Sequence, residues 1–182
     1  GITIQEDLGD TSLIDLDTSL KEHHSLIDKS LDLLSQLQTA NIPQIPKLDE
    51  ETLDNQMNGL STIFLKDFLS LPPHADIPKL QKETVENLLD QPWMNCHFDF
   101  ERRNIILDTN KEVAIIDYQD LCTAPVGIDL AGLLIDHYVK YSDEMISNSL
   151  DNYSHYMNLG LSSEDIFEWV RWCAIQSNMR RL

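Results

Sequence analysis

Glycine is scarce in this chain: there are 6 in 182 residues, about 3% where roughly 7% is usual. No glycine-rich loop able to cradle a phosphate can be assembled from so few. Basic residues are also few, 13 Lys+Arg against 31 Asp+Glu, for a formal net charge of −18. Nucleic-acid affinity comes mainly from Lys and Arg neutralising phosphates, so this balance excludes a nucleic-acid partner. A membrane partner is excluded in the same way, because binding to anionic lipid needs basic clusters. No apolar run approaches the roughly 20 residues that span a bilayer. Cysteine is limited to Cys96, Cys122 and Cys173, with no Cys-x-x-Cys pair. That pattern reads as reduced, buried thiols rather than disulfides or a zinc site. The opening Gly1–Asp7 shows neither a basic leader nor an apolar signal core, so the expected compartment is the cytoplasm.

What remains is an ordinary folding composition, 42% hydrophobic and 24% charged. At this length it suits one domain that buries about 70% of its unfolded surface. Gly1–Ile4 reads as the tail of a β-strand running out at Glu6-Asp7-Leu8-Gly9-Asp10. A first helix opens on a capping box, Ser19 with Glu22, presents Leu20, Ile27, Leu31 and Leu34 on one face, and stops at Asn41-Ile42-Pro43. A second is expected over about residues 51–71, with Leu60, Phe64 and Phe68 as its apolar stripe, ended by Pro72-Pro73. A third has Asp76 as cap, Pro78 in its first turn, and Leu80, Val85, Leu88 and Leu89 inside. Short strand-like runs follow at residues 93–96, 105–107 and 113–116, the last two forming a hairpin around a polar turn. Helices resume near Asp129, from Ser142 to Asn158 with Gly160 as stop, and from Ser163 onward. The expected fold is α+β, mostly helical, with one small β-hairpin.

Polar residues crowd both ends of that hairpin. His97-Phe98-Asp99-Phe100-Glu101-Arg102-Arg103-Asn104 precedes it and Asp117-Tyr118-Gln119-Asp120 follows. If Ile106 pairs with Ile115, then Asn104 and Asp117 face each other across the open end, with Asp99 on the preceding loop. An amide oxygen beside a carboxylate suits a hard cation such as Mg²⁺, which takes few protein ligands and leaves its other positions to water and phosphates. Asp99 is then free to act as base toward a hydroxyl. H-x-D-x-x-x-x-N followed by a strand-end Asp is the spacing of phosphoryl transfer. Each residue taken alone could simply cap a turn or end a strand; their joint spacing is what the functional reading explains. Other polar and aromatic residues read as ordinary. His23-His24 look like a surface pair, His74, His137 and His155 have no chemical company, and Trp169, Trp172, Phe167 and Tyr156 read as inter-helix packing. Gln119 and Asp120 either orient an acceptor hydroxyl or, for Asp120, cap the next turn.

His97–Asn104, Ile115–Asp120 and Gly127-Ile128-Asp129-Leu130-Ala131 resemble the aminoglycoside phosphotransferase/choline kinase family, whose members have a protein-kinase-like fold. The Glu6–Asp10 opening, the Tyr118-Gln119-Asp120 variant and Pro125 resemble the branch of anomeric sugar kinases that act on N-acetylmuramate and N-acetylglucosamine. The resemblance implies a kinase using ATP and Mg²⁺ on a hydroxyl of a small-molecule acceptor, an amino sugar first. Aminoglycoside, choline or homoserine kinases, and a non-catalytic lobe serving as a binding module, stand as alternatives. It implies Asp99 as catalytic base, Asn104 and Asp117 as metal ligands, and His97 and Asp129 as braces of the loop. Glu6, Asp7 and Leu8 become the interlobe hinge that meets the adenine. Residues 1–8 would then close a strand and form the hinge, and 9–182 would be the helical C-terminal lobe, curtailed at both ends, with the N-terminal lobe outside this chain. Departures from the family pattern are Glu101-Arg102 in the loop and Ile128 where an aromatic is common.

Overall fold

Apolar residues 27, 31 and 34 recur at helical spacing. In the computed structural model they line the buried face of helix α1, Leu20–Thr39. The structure describes residues 6–16, 20–72, 74–108, 110, 112–135 and 137–181. The expected strand tail at Gly1–Ile4 and Ser19 of the expected capping box lie outside these residues.

Helix α2, Glu50–Gly59, begins where the Asp49 carboxylate accepts the Thr52 amide at 2.8 Å, and it buries Leu53 and Met57. Past Gly59 the chain does not continue as the expected α-helix. Leu60–Phe68 winds as a π-helix with no buried residue. The stripe of Leu60, Phe64 and Phe68 was expected to face a core, and instead Phe68 is 76% exposed and stacks on Phe64, ring centroids 6.0 Å apart. Spacing of four defines a helix face but does not determine what that face meets. Helix α3, Asp76–Leu89, corrects two further expectations. Asp76 is its first residue and makes no side-chain cap bond, and Leu80 and Leu89 lie on its outer side. Its buried face is Gln81, Thr84, Val85 and Leu88. The two polar members are satisfied there, Gln81 by Asp54 Oδ1 (2.9 Å) and Asn58 Oδ1 (3.1 Å), Thr84 by the Leu80 carbonyl (2.8 Å).

Four short strands follow the helices. β1, Trp93–Cys96, pairs antiparallel with β4, Cys122–Pro125, while β2, Ile105–Leu107, pairs antiparallel with β3, Val113–Ile115. β4 was not foreseen, since a four-residue run ending in proline carries little strand signal. It is nonetheless held on both sides, because Thr123 also exchanges backbone bonds with the 46–48 segment (Thr123 N to Pro46 O 2.7 Å, Leu48 N to Thr123 O 3.0 Å). The hairpin gains a third partner in residues 11–13, through Leu13 N to Ile105 O and Leu107 N to Thr11 O, both 2.9 Å.

Helices α4 (Gly127–Leu134), α5 (Asp143–Tyr156, capped by Ser142) and α6 (Ser163–Arg181) complete the chain. α6 packs against α2, α3, α4 and α5, burying Ile166, Val170, Cys173 and Met179. Trp169, Trp172, Phe167 and Tyr156 pack against the same core, as their spacing suggested. The three cysteines are free and buried. Burial pushes the thiols of Cys122 and Cys173 up to about 12. α4 approaches its surroundings so closely that side chains are excluded. A Cβ on Gly132 would lie 2.8 Å from the Phe100 carbonyl oxygen, which brings α4 onto the 97–104 loop.

Candidate active site

The loop between β1 and β2 turns sharply, with Phe98 in the left-handed region at φ 71°. Two successive amides there need an acceptor, and α4 supplies one. Asp129, fully buried, accepts the His97 amide at Oδ2 (2.7 Å) and the Phe98 amide at Oδ1 (2.9 Å). Burial raises the Asp129 carboxyl from 3.8 to about 7, even though those two donors favour its ionised form. His97 is buried as well, and its Nε2 lies 2.9 Å from the Ile116 carbonyl. A carbonyl only accepts, so Nε2 carries the proton. Burial pushes the imidazole below 6.5, which keeps the ring neutral. His97 thus ties the end of β1 to Ile116 beyond β3, and Asp129 ties the loop to α4.

Asp99 follows immediately. The amide nitrogen of Asn104 donates to the Asp99 carbonyl (2.8 Å) and to Asp99 Oδ2 (2.9 Å). Arg103 adds an ion pair to Asp99 at 3.0 Å. With its N–H groups turned to Asp99, Asn104 keeps its amide oxygen as the group available to a cation.

The hairpin register differs by one residue from the expected one. Ile105, not Ile106, faces Ile115, so Asn104 pairs through its backbone with Ile116 (Ile116 N to Asn104 O, 3.0 Å) rather than lying across from Asp117. Asp117 comes one residue later, where φ 68° swings the chain into the short turn Tyr118–Asp120. Asp117, Gln119 and Asp120 are all exposed.

Glu6 and Asp7 are exposed and Leu8 is half-buried, and Asp7 Oδ1 accepts the Gly9 amide at 3.0 Å. Among the described residues no hydrogen bond joins this segment to the 97–120 region. No three His, Cys, Asp or Glu side chains gather as a metal cage among the described residues. An amide oxygen with one carboxylate is the sparser donor set that magnesium accepts, and Asn104 and Asp117 fit it in chemical type.

Arginines escaped the sequence reading. The chain has five, and four of them, Arg102, Arg103, Arg180 and Arg181, surround this loop. Arg102 is 3% exposed and donates to the Leu13 carbonyl at 2.7 Å. It also lies 3.3 Å from His23 Nε2, so His23 is a packed residue and not half of a surface pair. Burial and the Arg102 charge lower the His23 pKa. Arg181 pairs with Glu101. The doubled Arg-Arg steps in so acidic a chain were the available signal.

A mainly helical fold with an H-x-D-x-x-x-x-N loop clamped at the mouth of a hairpin defines a kinase-like phosphotransferase scaffold. The chain belongs to the phosphotransferase enzyme family, whose pattern it matches over residues 2–165. It is 26% identical, over 99% of its own length and 58% of the relative's, to an N-acetylmuramate/N-acetylglucosamine kinase of Neisseria meningitidis serogroup B. A protein of the same description from Pseudomonas aeruginosa is 23% identical over 84% of this chain and 46% of that one. The chain therefore spans about half the length of the relatives it matches. Among solved structures, a type VIII aminoglycoside-3'-phosphotransferase superposes with a TM-score of 0.67 at 18% identity, covering 94% of this chain and 67% of that one. A Streptomyces rimosus aminoglycoside phosphotransferase in complex with ADP and streptomycin gives 0.61 at 16%, covering 90% and 65%. A choline kinase of Streptococcus pneumoniae gives 0.60 at 15%, covering 88% and 56%.

Proposed function

We propose that this protein is an ATP- and magnesium-dependent kinase that phosphorylates a hydroxyl of a small-molecule acceptor, an amino sugar of the N-acetylmuramate/N-acetylglucosamine type. Asp99 orients the acceptor hydroxyl and receives its proton. Asn104 holds the Asp99 carboxylate in place from the loop's far end, while Asp129 and His97 hold the loop against α4 and β3. Asn104, through its amide oxygen, and Asp117 are the groups that would hold the cation, which when bound supplies charge neutralisation at the nucleotide's phosphates. Backbone groups of Glu6, Asp7 and Leu8 meet the adenine, as the hinge ahead of a helical lobe beginning at residue 9. Gln119 and Asp120 line the acceptor side.

The single observation that carries this reading is the hydrogen-bonded pair of Asp99 and Asn104 on a loop whose backbone is clamped by a buried carboxylate. Such positioning of a nucleophile is what phosphoryl transfer requires of a protein, since the covalent chemistry is minimal. The test is ADP release by the full-length protein with amino-sugar acceptors. Asp99→Asn should lower turnover by about 10²–10⁴-fold without changing nucleotide affinity. Wild-type turnover in that variant would refute the assignment. A cationic acceptor such as an aminoglycoside is the second reading, favoured by the net charge of −18 and the exposed Asp117 and Asp120. Comparing cationic with neutral and anionic acceptors separates the two.

A further inference from the structure

Arg180, near the end of α6, differs from the other arginines at the site. Arg103 is committed to Asp99 and Glu101, Arg181 to Glu101, and Arg102 to Leu13 and His23. Arg180 lies with its guanidinium carbon 4.6 Å above the Phe98 ring, next to Asp99 in sequence, and makes no hydrogen bond or ion pair with a described residue. It is half-buried and partly stripped of water, while the Asp99 and Asp120 carboxylates support its charge from a distance. Stacking on an aromatic face fixes the plane of a guanidinium and turns its N–H edge outward, the presentation that captures a carboxylate through two parallel bonds. Arg180 lines a narrow cleft together with Phe98, Asp99, Glu101, Gln176 and Arg181.

We propose that Arg180 binds a carboxylate on the acceptor and is the residue that distinguishes an acidic amino sugar from a neutral one. This rests on the kinase reading above and deepens it. A desolvated guanidinium without a hydrogen-bonded anion is costly to keep, and an acidic acceptor offsets that cost only when bound. The same charge repels a polycationic acceptor from the position next to Asp99, against the second reading.

The test uses the full-length protein with two acceptors that differ only in the acidic arm, N-acetylmuramate and N-acetylglucosamine. Arg180→Gln should raise KM for the acidic sugar by about 10- to 100-fold, the factor lost with a charge-assisted hydrogen bond. The KM values for the neutral sugar and for ATP should stay within about threefold. Arg180→Lys, which keeps charge but not the fork, should fall between. Equal losses for both sugars, or a loss confined to the nucleotide KM, would overturn the role of Arg180 while leaving the kinase reading intact. Failure to phosphorylate any hydroxyl acceptor would instead remove the kinase reading. Direct calorimetric titration still decides the inference in that event. Tighter binding of the acidic sugar by wild type, abolished in Arg180→Gln, supports it, and equal binding of the two sugars by wild type overturns it.

Discussion

Replacing Asp129 by Asn removes a buried charge and keeps the shape, and its effect should depend on pH in a way that bulk destabilisation would not. Asp129 is fully buried, accepts two backbone amides, and titrates at about 7 in the folded protein against 3.8 as its ordinary value. Below 3.8 the carboxyl is protonated in both folded and unfolded chains and contributes no slope. Between 3.8 and about 7 the unfolded chain has released the proton while the folded one retains it, so stability falls as pH rises. Above about 7 both states are ionised and the full cost is present. At about 1.4 kcal/mol per pKa unit, the portion from pH 5 to 8 is about 3 kcal/mol. Asn carries no such slope. It offers only one acceptor oxygen, so either the His97 or the Phe98 amide faces an NH₂ group, at a cost of about 1–3 kcal/mol. Urea unfolding followed by circular dichroism between pH 5 and 8.5 should find Asp129→Asn less stable at pH 5, with the deficit closing or reversing by pH 8. The His97 and Phe98 amides should exchange faster in the variant throughout. A deficit that stays constant, or widens with pH, would refute the assignment of a protonated carboxyl in the folded loop clamp.

Other expectations concern packing and the arginine cluster. Gly132→Ala forces a methyl against the Phe100 backbone at 2.8 Å; it should cost about 1–3 kcal/mol, read by thermal unfolding. Leu53→Ala, at a site with 0% exposure, should cost about 2–5 kcal/mol in urea unfolding. Phe68→Ser, on the exposed π-helical face, should stay within about 0.5 kcal/mol in the same assay. Arg102→Met removes a charge that helps lower His23, so an NMR titration should find the His23 pKa moved up toward 6.5, and an unchanged value would show that burial alone sets it.

Much of the architecture was legible in local signals. Asn41-Ile42-Pro43 and Ser142 mark helix ends close to where the structure has them, and short apolar runs on either side of a polar turn marked the 105–107 and 113–115 strands. Asp99, Asn104 and Asp117 could be singled out because their spacing is joint, and His97 and Asp129 through the family resemblance; the structure hydrogen-bonds Asn104 to Asp99 and the 97–98 amides to Asp129 on α4. Three features were not legible. The hairpin register slipped by one because Ile105, Ile106, Ile115 and Ile116 offer equivalent apolar partners, and only the 11–13 segment, far away in sequence, supplies the further bonds that select one pairing. β4 carries weak strand propensity and exists because β1 and the 46–48 segment hold it from both sides. The Leu60–Phe68 stripe has helical spacing, yet while Leu60 packs against the core, Phe68 is left exposed.

Order along the chain was thus determined by the sequence itself: which stretches wind, where they stop, and which polar side chains share a loop. These choices rest on caps, turn residues and periodicity, all acting within a few neighbours. Tertiary structure decided what each face meets, and so set the depth of Asp129, the partners that commit three of the four clustered arginines, and the stacking of Arg180 on a ring some eighty positions away. Burial and register are properties of two surfaces brought together, and neither surface carries a local mark of its partner.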